Sequence, residues 1–169
     1  MVGSASGIVR LVLLDNTVLT NFARADSIQL ALDVWLGDAC STSDVLAEYQ
    51  AGVLGHSLPA DAWQHLPVVT LTDQERQFAA VLPPPLHTGE RSCLAVAVRR
   101  HGLFASDDSR ARIEARRGGI ALSGSVGMLR IGVQQHMLSL VEANRLLRIM
   151  IGNGYHSPVL TLDELLSNL

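Results

Sequence analysis

Five short apolar runs alternate with longer stretches of helical character along this 169-residue chain, and that alternation limits the fold more than any other feature. The runs are VRLVLLD (9–15), ACST (39–42), PVVTL (67–71), LFAS (103–106) and IALS (120–123). Each is short and bounded, as a buried strand is. Between them the chain reads as one or two helices over 17–37, a helix from Ser43 to about Gly52 or Gly55, and one opened by the capping box TDQE at 72–75. Further helices are expected from Gly89 to about His101 with Thr88 as cap, over 108–117 before Gly118-Gly119, over 124–134, and from the box SLVE (139–142) to about Gly152. LPPPLHTG (82–89) cannot continue a helix and reads as a loop. Strands that alternate with helices in this way predict an α/β fold, a central parallel sheet with helices on both faces. The chain divides into a small polar leader (1–7) read as disordered, one domain (8–155), and a helical tail (156–169) packed on it.

Composition removes several functions. All 13 basic residues are arginine. A phosphate-binding loop of the Walker type needs a lysine, as do receiver domains and haloacid-dehalogenase-type phosphatases. With a net charge of −3 there is no global field for nucleic acid, so any such contact must be local. Seven aromatic residues are too few for recognition by repeated base stacking. Cys40 and Cys93 form no CxxC and read as buried, reduced thiols. The first apolar run is too short to span a membrane and lacks a signal-peptide layout, so the reading is cytoplasmic, with no membrane partner.

In a parallel α/β sheet, ligands sit beyond the carboxyl ends of the strands. Asp15 follows the first run, and Asp107 and Asp108 follow LFAS. Parallel topology brings these positions to one edge. Asp107 also has the bland reading of a helix N-cap. Glu48 shares a helical face with Val45, Tyr49 and Gly52, and Glu90 shares one with Leu94, Ala97 and Val98. A carboxylate on an apolar face costs desolvation energy unless it is paired or bound to a cation. Glu90 also stands in a first helical turn, where the dipole favours a negative charge. Acids gathered this way repel one another, and Mg²⁺ or Mn²⁺ relieves the repulsion because hard cations prefer carboxylate oxygens. Such an ion suits phosphodiester hydrolysis.

Five segments in order resemble the PIN domain, in the form found in VapC toxins: LVLLDNTVLTNFA, VLAEY, GERSCLAVA, ASDDSRAR and GIALSGSVGMLR. The resemblance covers about residues 8 to 155. It implies an α/β/α sandwich around a parallel sheet of about five strands, often dimeric, with metal-dependent endoribonuclease activity. Carried over position by position, it implies Asp15, Glu48, Glu90 and Asp107 as the catalytic acids, and Asp15, Glu90, Asp107 and Asp108 as metal ligands. Glu90 stands where many of these toxins have Asp, and the Asp107-Asp108 pair where many have Thr-x-Asn. Ser125 stands where the subgroup usually has Thr. Thr17, Asn21, Ser106 and Ser123 are expected to support the acids.

Seven of the 13 arginines fall between 91 and 117. Arg91 and Arg110, each near an acid, are expected to hold RNA phosphates. Arg99, Arg100, Arg116 and Arg117, late in their helices, read as cations complementing the helix dipole. The six histidines show no ligand spacing, and His101 is expected to be partly buried. The leading expectation is a homodimeric endoribonuclease acting as the toxin of a toxin–antitoxin pair, with RNA and a small antitoxin as partners. A housekeeping PIN nuclease and a non-catalytic PIN-like binding module are the alternatives; retention of all four acids weighs against the module.

Overall fold

A computed structural model describes residues 11–55 and 57–167. The expected leader, the first two residues of the 9–15 run and His56 lie outside the described residues. In chain order the elements are β1 (Val12–Leu14), α1 (Asn16–Arg24), α2 (Ile28–Asp33), β2 (Ala39–Thr42), α3 (Ser43–Leu54), β3 (Val68–Val69), α4 (Asp73–Val81) and α5 (Thr88–Arg99). There follow β4 (Leu103–Ala105), α6 (Ser109–Arg117), β5 (Ala121–Ser123), α7 (Ser125–Gln134), α8 (Leu140–Gly152) and α9 (Asp163–Leu166).

The strands form one five-stranded sheet in the order β3-β2-β1-β4-β5, every pair parallel. This is the α/β architecture expected from the alternation. Val12 pairs with Ala39 on one side and Leu103 on the other, so β1 is central. Its residues, like those of β4, are buried throughout, as a strand covered on both faces must be. Strand order reverses at β1 and β4: the chain moves outward from β1 to β2 and β3, then returns to β1's other side with β4. A crevice opens at such a switch point. Asp15 and residues 106–108 leave the sheet there.

Helix α5 is buried almost all round. Residues 92–97 are inaccessible because the helix packs on β1, β2 and β4 while α3 and α4 cover it. The one-sided stripe expected from its sequence therefore understates its burial. Cys93 lies on this helix, and Cys40 lies in β2; both are free and buried. Burial pushes both thiols up, Cys40 to about 11, so neither is a nucleophile near neutral pH.

Several boundaries move by one residue. Thr42, not Ser43, caps α3, its Oγ1 accepting from the Val45 N–H at 3.4 Å. α5 begins at Thr88 with His87 as the preceding residue, so Thr88 is not the cap. At SLVE only half the box forms: Ser139 accepts from Glu142 N–H, while the Glu142 carboxylate turns to Arg145 at 2.6 Å. β3 is two residues long, shorter than the PVVTL run. His101 is exposed, because its backbone turns through φ +53° at the end of α5 and carries the ring outward.

The TDQE box closes in both directions, Glu75 Oε2 accepting from Thr72 N–H at 2.8 Å and Thr72 Oγ1 from Glu75 N–H at 3.2 Å. Glu75 is also buried and takes two bonds from Arg100, at 2.7 and 2.8 Å. Arg100 is therefore more than a dipole complement: it ties the end of α5 to α4 and, through Thr70 O at 2.8 Å, to the segment after β3. The guanidinium holds Glu75 down at about 2, below its ordinary 4.5. A depressed carboxyl stabilises the fold above its unfolded value and stops doing so as pH falls through its folded value. Glu75→Gln is expected to cost about 2 kcal/mol at neutral pH, since it leaves a half-buried guanidinium without its charged acceptor. Urea titrations between pH 5 and pH 2 should show wild type losing stability over that window and the variant losing less. Parallel curves would show that the pair contributes nothing.

The tail is held by Asn144 on α8, whose Oδ1 accepts from Leu162 N–H and whose Nδ2 donates to Asp163, both at 2.8 Å. Leu162 is fully buried beneath it.

Candidate active site

Asp15 ends β1 and is 1 % exposed. Its Oδ2 accepts from Ser106 Oγ at 2.8 Å and Thr17 Oγ1 at 3.0 Å. Its Oδ1 is buried and has no hydrogen-bond partner among the described residues, and the same is true of Oδ1 of the next residue, Asn16. Burial pushes the Asp15 carboxyl up to about 6; the two hydroxyls offset part of this, and the charge of Glu48 adds to it. Glu90, in the first turn of α5, is 4 % exposed. Its Oε2 reaches back to the His87 N–H at 2.8 Å. Glu90 is pushed up to about 7, chiefly by burial, with the charges of Asp15 and Asp108 contributing.

Glu48 is half-buried on α3, its Oε1 accepting from Gly89 N–H at 2.8 Å. A side chain at 89 would not fit: a Cβ there would lie 2.8 Å from Glu48 Oε2 and 2.9 Å from Val45 Cγ2. Glycine thus lets the start of α5, the helix that carries Glu90, approach α3 at Glu48.

The consecutive acids after β4 part company. Asp108, not Asp107, is the N-cap of α6, its Oδ1 accepting from the N–H groups of Arg110 and Ala111 at 2.8 and 2.9 Å. Its charge is nonetheless felt at Glu90. Asp107 turns the other way. Its Oδ1 accepts from Ser125 N–H at 2.9 Å and Tyr155 Oη at 3.1 Å. Its Oδ2 accepts from Asn21 Nδ2 at 2.9 Å and Ser125 Oγ at 2.5 Å. Burial and the Asp107 charge push the Tyr155 phenol well up, so it stays a donor. Asp15 thus lies in the field of Glu48, and Glu90 in the fields of Asp15 and Asp108, while Asp107 is committed to a network of neutral donors.

Thr17, Asn21 and Ser106 support the acids; Ser123 does not, since its carbonyl accepts from Arg112 Nη1 at 2.6 Å and its hydroxyl faces Gly127. Ser125 and Tyr155 hold Asp107, and Gly124 makes room for it: a Cβ on Gly124 would stand 2.6 Å from Asp107 Oδ1. Arg91 is spent on the Pro-rich loop, donating to Leu86 O at 3.0 Å and Pro83 O at 3.2 Å, which stills a segment lacking its own ladder bonds. Of the guanidinium expected to meet RNA, Nη1 alone has no hydrogen bond among the described residues. Arg110 is exposed and its side chain has no hydrogen bond among the described residues.

Among the described residues, no three His, Cys, Asp or Glu side chains converge closely enough to close around an ion as they lie. The donor chemistry nevertheless suits a hard divalent cation. Asp15 Oδ1 is orphaned, and Glu48 Oε2, Glu90 Oε1 and Asp108 Oδ2 carry no hydrogen bond among the described residues.

The raised acids set a sign for stability. Above its unfolded pKa of 3.8 or 4.5, each group binds more protons folded than unfolded, so stability falls as pH rises towards the folded values of about 6 and 7. In chelator, Asp15 and Glu90 together should weaken the fold by a few kcal/mol between about pH 4 and pH 7. Millimolar Mg²⁺ or Mn²⁺ should reverse this, and should raise Tm more at pH 8 than at pH 5. Melting curves that do not respond to metal at pH 8 would rule out a cation site among these acids.

No curated protein and no solved structure gives a match to this chain. A family model described as PIN domain matches residues 11–169, nearly the whole sequence and every element of the sheet. With its five parallel strands and its acids gathered at the switch point between β1 and β4, the chain belongs to the PIN-domain family.

Proposed function

We propose that this protein is a metal-dependent endoribonuclease whose cation is held by Asp15, Glu90 and Asp108, with Glu48 behind them. PIN domains are in general nucleases and typically use divalent metals, and family membership supports nuclease-type activity here. The observation that carries the finer reading is the unpartnered Oδ1 of Asp15. A carboxylate oxygen that is buried, charged near neutral pH and without a donor needs a cation beside it. Bound Mg²⁺ or Mn²⁺ would polarise the phosphodiester and favour hydroxide at neutral pH.

The protein's own residues supply the rest. Ser106 and Thr17 bond Oδ2 of Asp15 and hold the carboxylate in one orientation, leaving Oδ1 for the cation. The Gly89 and His87 N–H groups each occupy one oxygen of Glu48 and Glu90 and leave the other for the cleft. Asp107 serves as an anchor, setting the turn that presents Asp108.

The toxin role stays part of the proposal, with a small antitoxin covering this edge. The test is to incubate purified protein with RNA, with and without Mg²⁺ or Mn²⁺, and to sequence the 5′ ends of the fragments. Defined internal ends that need metal are the expected result; intact RNA under all conditions would overturn the reading. Slowed growth on expression alone is expected of a toxin, and normal growth with active enzyme would favour the housekeeping alternative.

A further inference from the structure

β5 is an edge strand of the sheet. Ser106 N–H donates to Ser123 O at 3.2 Å, with Ala105 and Ser123 in register. In a parallel ladder alternate residues bond the neighbouring strand. The backbone groups of Ala121 and Ser123 therefore face β4, while the N–H and C=O of Leu122 point out of the sheet. Among the described residues neither group of Leu122 has a partner from a loop, a helix or a side chain. An open edge of this kind is a template for a further strand unless something blocks it.

A groove of about 750 Å³ follows this edge, from Asp107 beyond the carboxyl end of β4 to Leu103 at its start. It wraps the edge. Leu122 lines it from one face of the sheet, Leu103 and Ser123 from the other, because paired residues share a face and successive residues alternate. The helices are placed to match. The crossovers through α1 and α6 run in opposite directions across the sheet, so the right-handed rule puts these helices on opposite faces. α7 packs on α1 and α8, so α6 and α7 flank β5 on its two sides. Arg112 and Arg116 line the groove from α6, and Arg130 from α7. Arg116 and Arg130 are exposed, and among the described residues neither makes an ion pair or a side-chain hydrogen bond. Arg112 is braced through Nη1 by Ser106 O at 2.7 Å and Ser123 O at 2.6 Å. Asp107 is the single carboxylate among the described residues lining the groove, and both its oxygens are occupied.

We propose that the free edge of β5 binds an extended acidic segment of a partner protein as a sixth strand, its backbone paired with Leu122 and its carboxylates on Arg112, Arg116 and Arg130. Two observations choose this occupant. The N–H and C=O of Leu122 call for a donor and an acceptor at strand spacing, which another backbone supplies and a phosphodiester, with acceptors alone, does not. Arginines on both sides of β5 call for carboxylates on both faces of the added strand, and guanidinium forks match carboxylates bidentately. The same arginines set a second copy of this chain against itself, since two such edges would bring like charges together. Asp15, Glu48, Glu90 and Asp108 do not line this groove, so the proposal does not depend on the nuclease reading.

The probe is a labelled peptide of about eight residues, Glu-Glu-Val-Val repeated, which puts glutamate and valine on both faces of a strand. Two relatives of it are compared: one N-methylated along its backbone, which keeps the charge and removes the donors, and one with lysine for glutamate. Binding is read by fluorescence anisotropy up to about 1 mM peptide, and exchange of the Leu122 amide hydrogen by NMR. The proteins are wild type, the double variant Arg116→Ala/Arg130→Ala, and Arg148→Ala as a control that removes an exposed charge outside the groove. Wild type and Arg148→Ala are expected to bind the acidic peptide alike, and the double variant about ten-fold more weakly. The N-methylated and lysine peptides should each lose about ten-fold or more, and saturating acidic peptide should slow Leu122 exchange by about ten-fold or more. No binding by wild type, equal affinity in the double variant, or unchanged Leu122 exchange with the peptide bound overturns the proposal. A free protein that sediments as a dimer with Leu122 already protected gives the edge to a second copy and overturns it too. So does a single-stranded RNA that binds through Arg116 and Arg130 where the peptide does not, which gives the groove to nucleic acid.

Discussion

Asp15→Asn is expected to lower RNA cleavage by about 1000-fold or more without loosening the fold. The substitution keeps the shape of the side chain and removes the charge that would hold the cation. A metal's contribution to a phosphoryl-transfer barrier is several kcal/mol, and each 1.4 kcal/mol is a factor of ten. Stability should move the other way. The native carboxylate is buried with one oxygen unpartnered and lies in the field of Glu48, so neutralising it relieves both desolvation and repulsion. In chelator at pH 8 the variant should therefore melt no lower than wild type, and added Mn²⁺ should leave its Tm nearly unchanged. Wild-type cleavage by the variant would remove Asp15 from the site. A variant that is inactive because it is unfolded would show itself in the melting curve.

Asp107→Asn is expected to cost about 2 kcal/mol of stability, in contrast to Asp15→Asn. From the sequence the two changes look equivalent. In the structure Asp107 receives two donors on each oxygen, and an amide can satisfy only part of that set. Ser125 N–H cannot reverse, so the oxygen of the new amide must stay with it. The NH₂ group then faces Ser125 Oγ and Asn21 Nδ2, and both must rotate or flip to accept. Leaving even one buried donor unmatched costs about 1–3 kcal/mol. Activity should fall too, because the turn that places Asp108 loses its anchor. The measurement is urea denaturation beside a cleavage assay; unchanged stability with lost activity would return Asp107 to a direct role at the acid edge.

The parallel sheet and the edge where the acids meet were legible because both follow from order along the chain. Alternating runs specify strands, and a strand's last residue specifies which edge it reaches. Glu48 and Glu90 stood out as carboxylates on apolar helical faces, a pattern with few explanations. The misreadings arose where neighbouring residues compete for one role. Thr42 and Ser43 are both good caps, and Asp107 and Asp108 can both follow a strand; a shift of one residue decides the outcome and leaves no trace in composition. Sequence distance places Arg91 near an acid but does not show that the loop carbonyls of residues 83 and 86 take two of its nitrogens. Tyr155 reaches Asp107 from 48 residues away, and nothing in its own surroundings announces that contact. Gly89 and Gly124 could have been found, since each adjoins a proposed site residue where a close backbone approach is the usual reason for a glycine.

Thr17 and Asn21 lie one turn apart on α1, and between them they touch the acids at the ends of two strands. Thr17 donates to Asp15 and accepts from the Asp107 N–H at 2.9 Å, while Asn21 donates to Asp107. The two strand ends are therefore spanned by four residues of helix, a rise of about 6 Å. Backbone geometry fixes that length, so it does not drift as core side chains change size. Substitutions elsewhere in the domain can change charge and packing while the two strand ends keep their gauge.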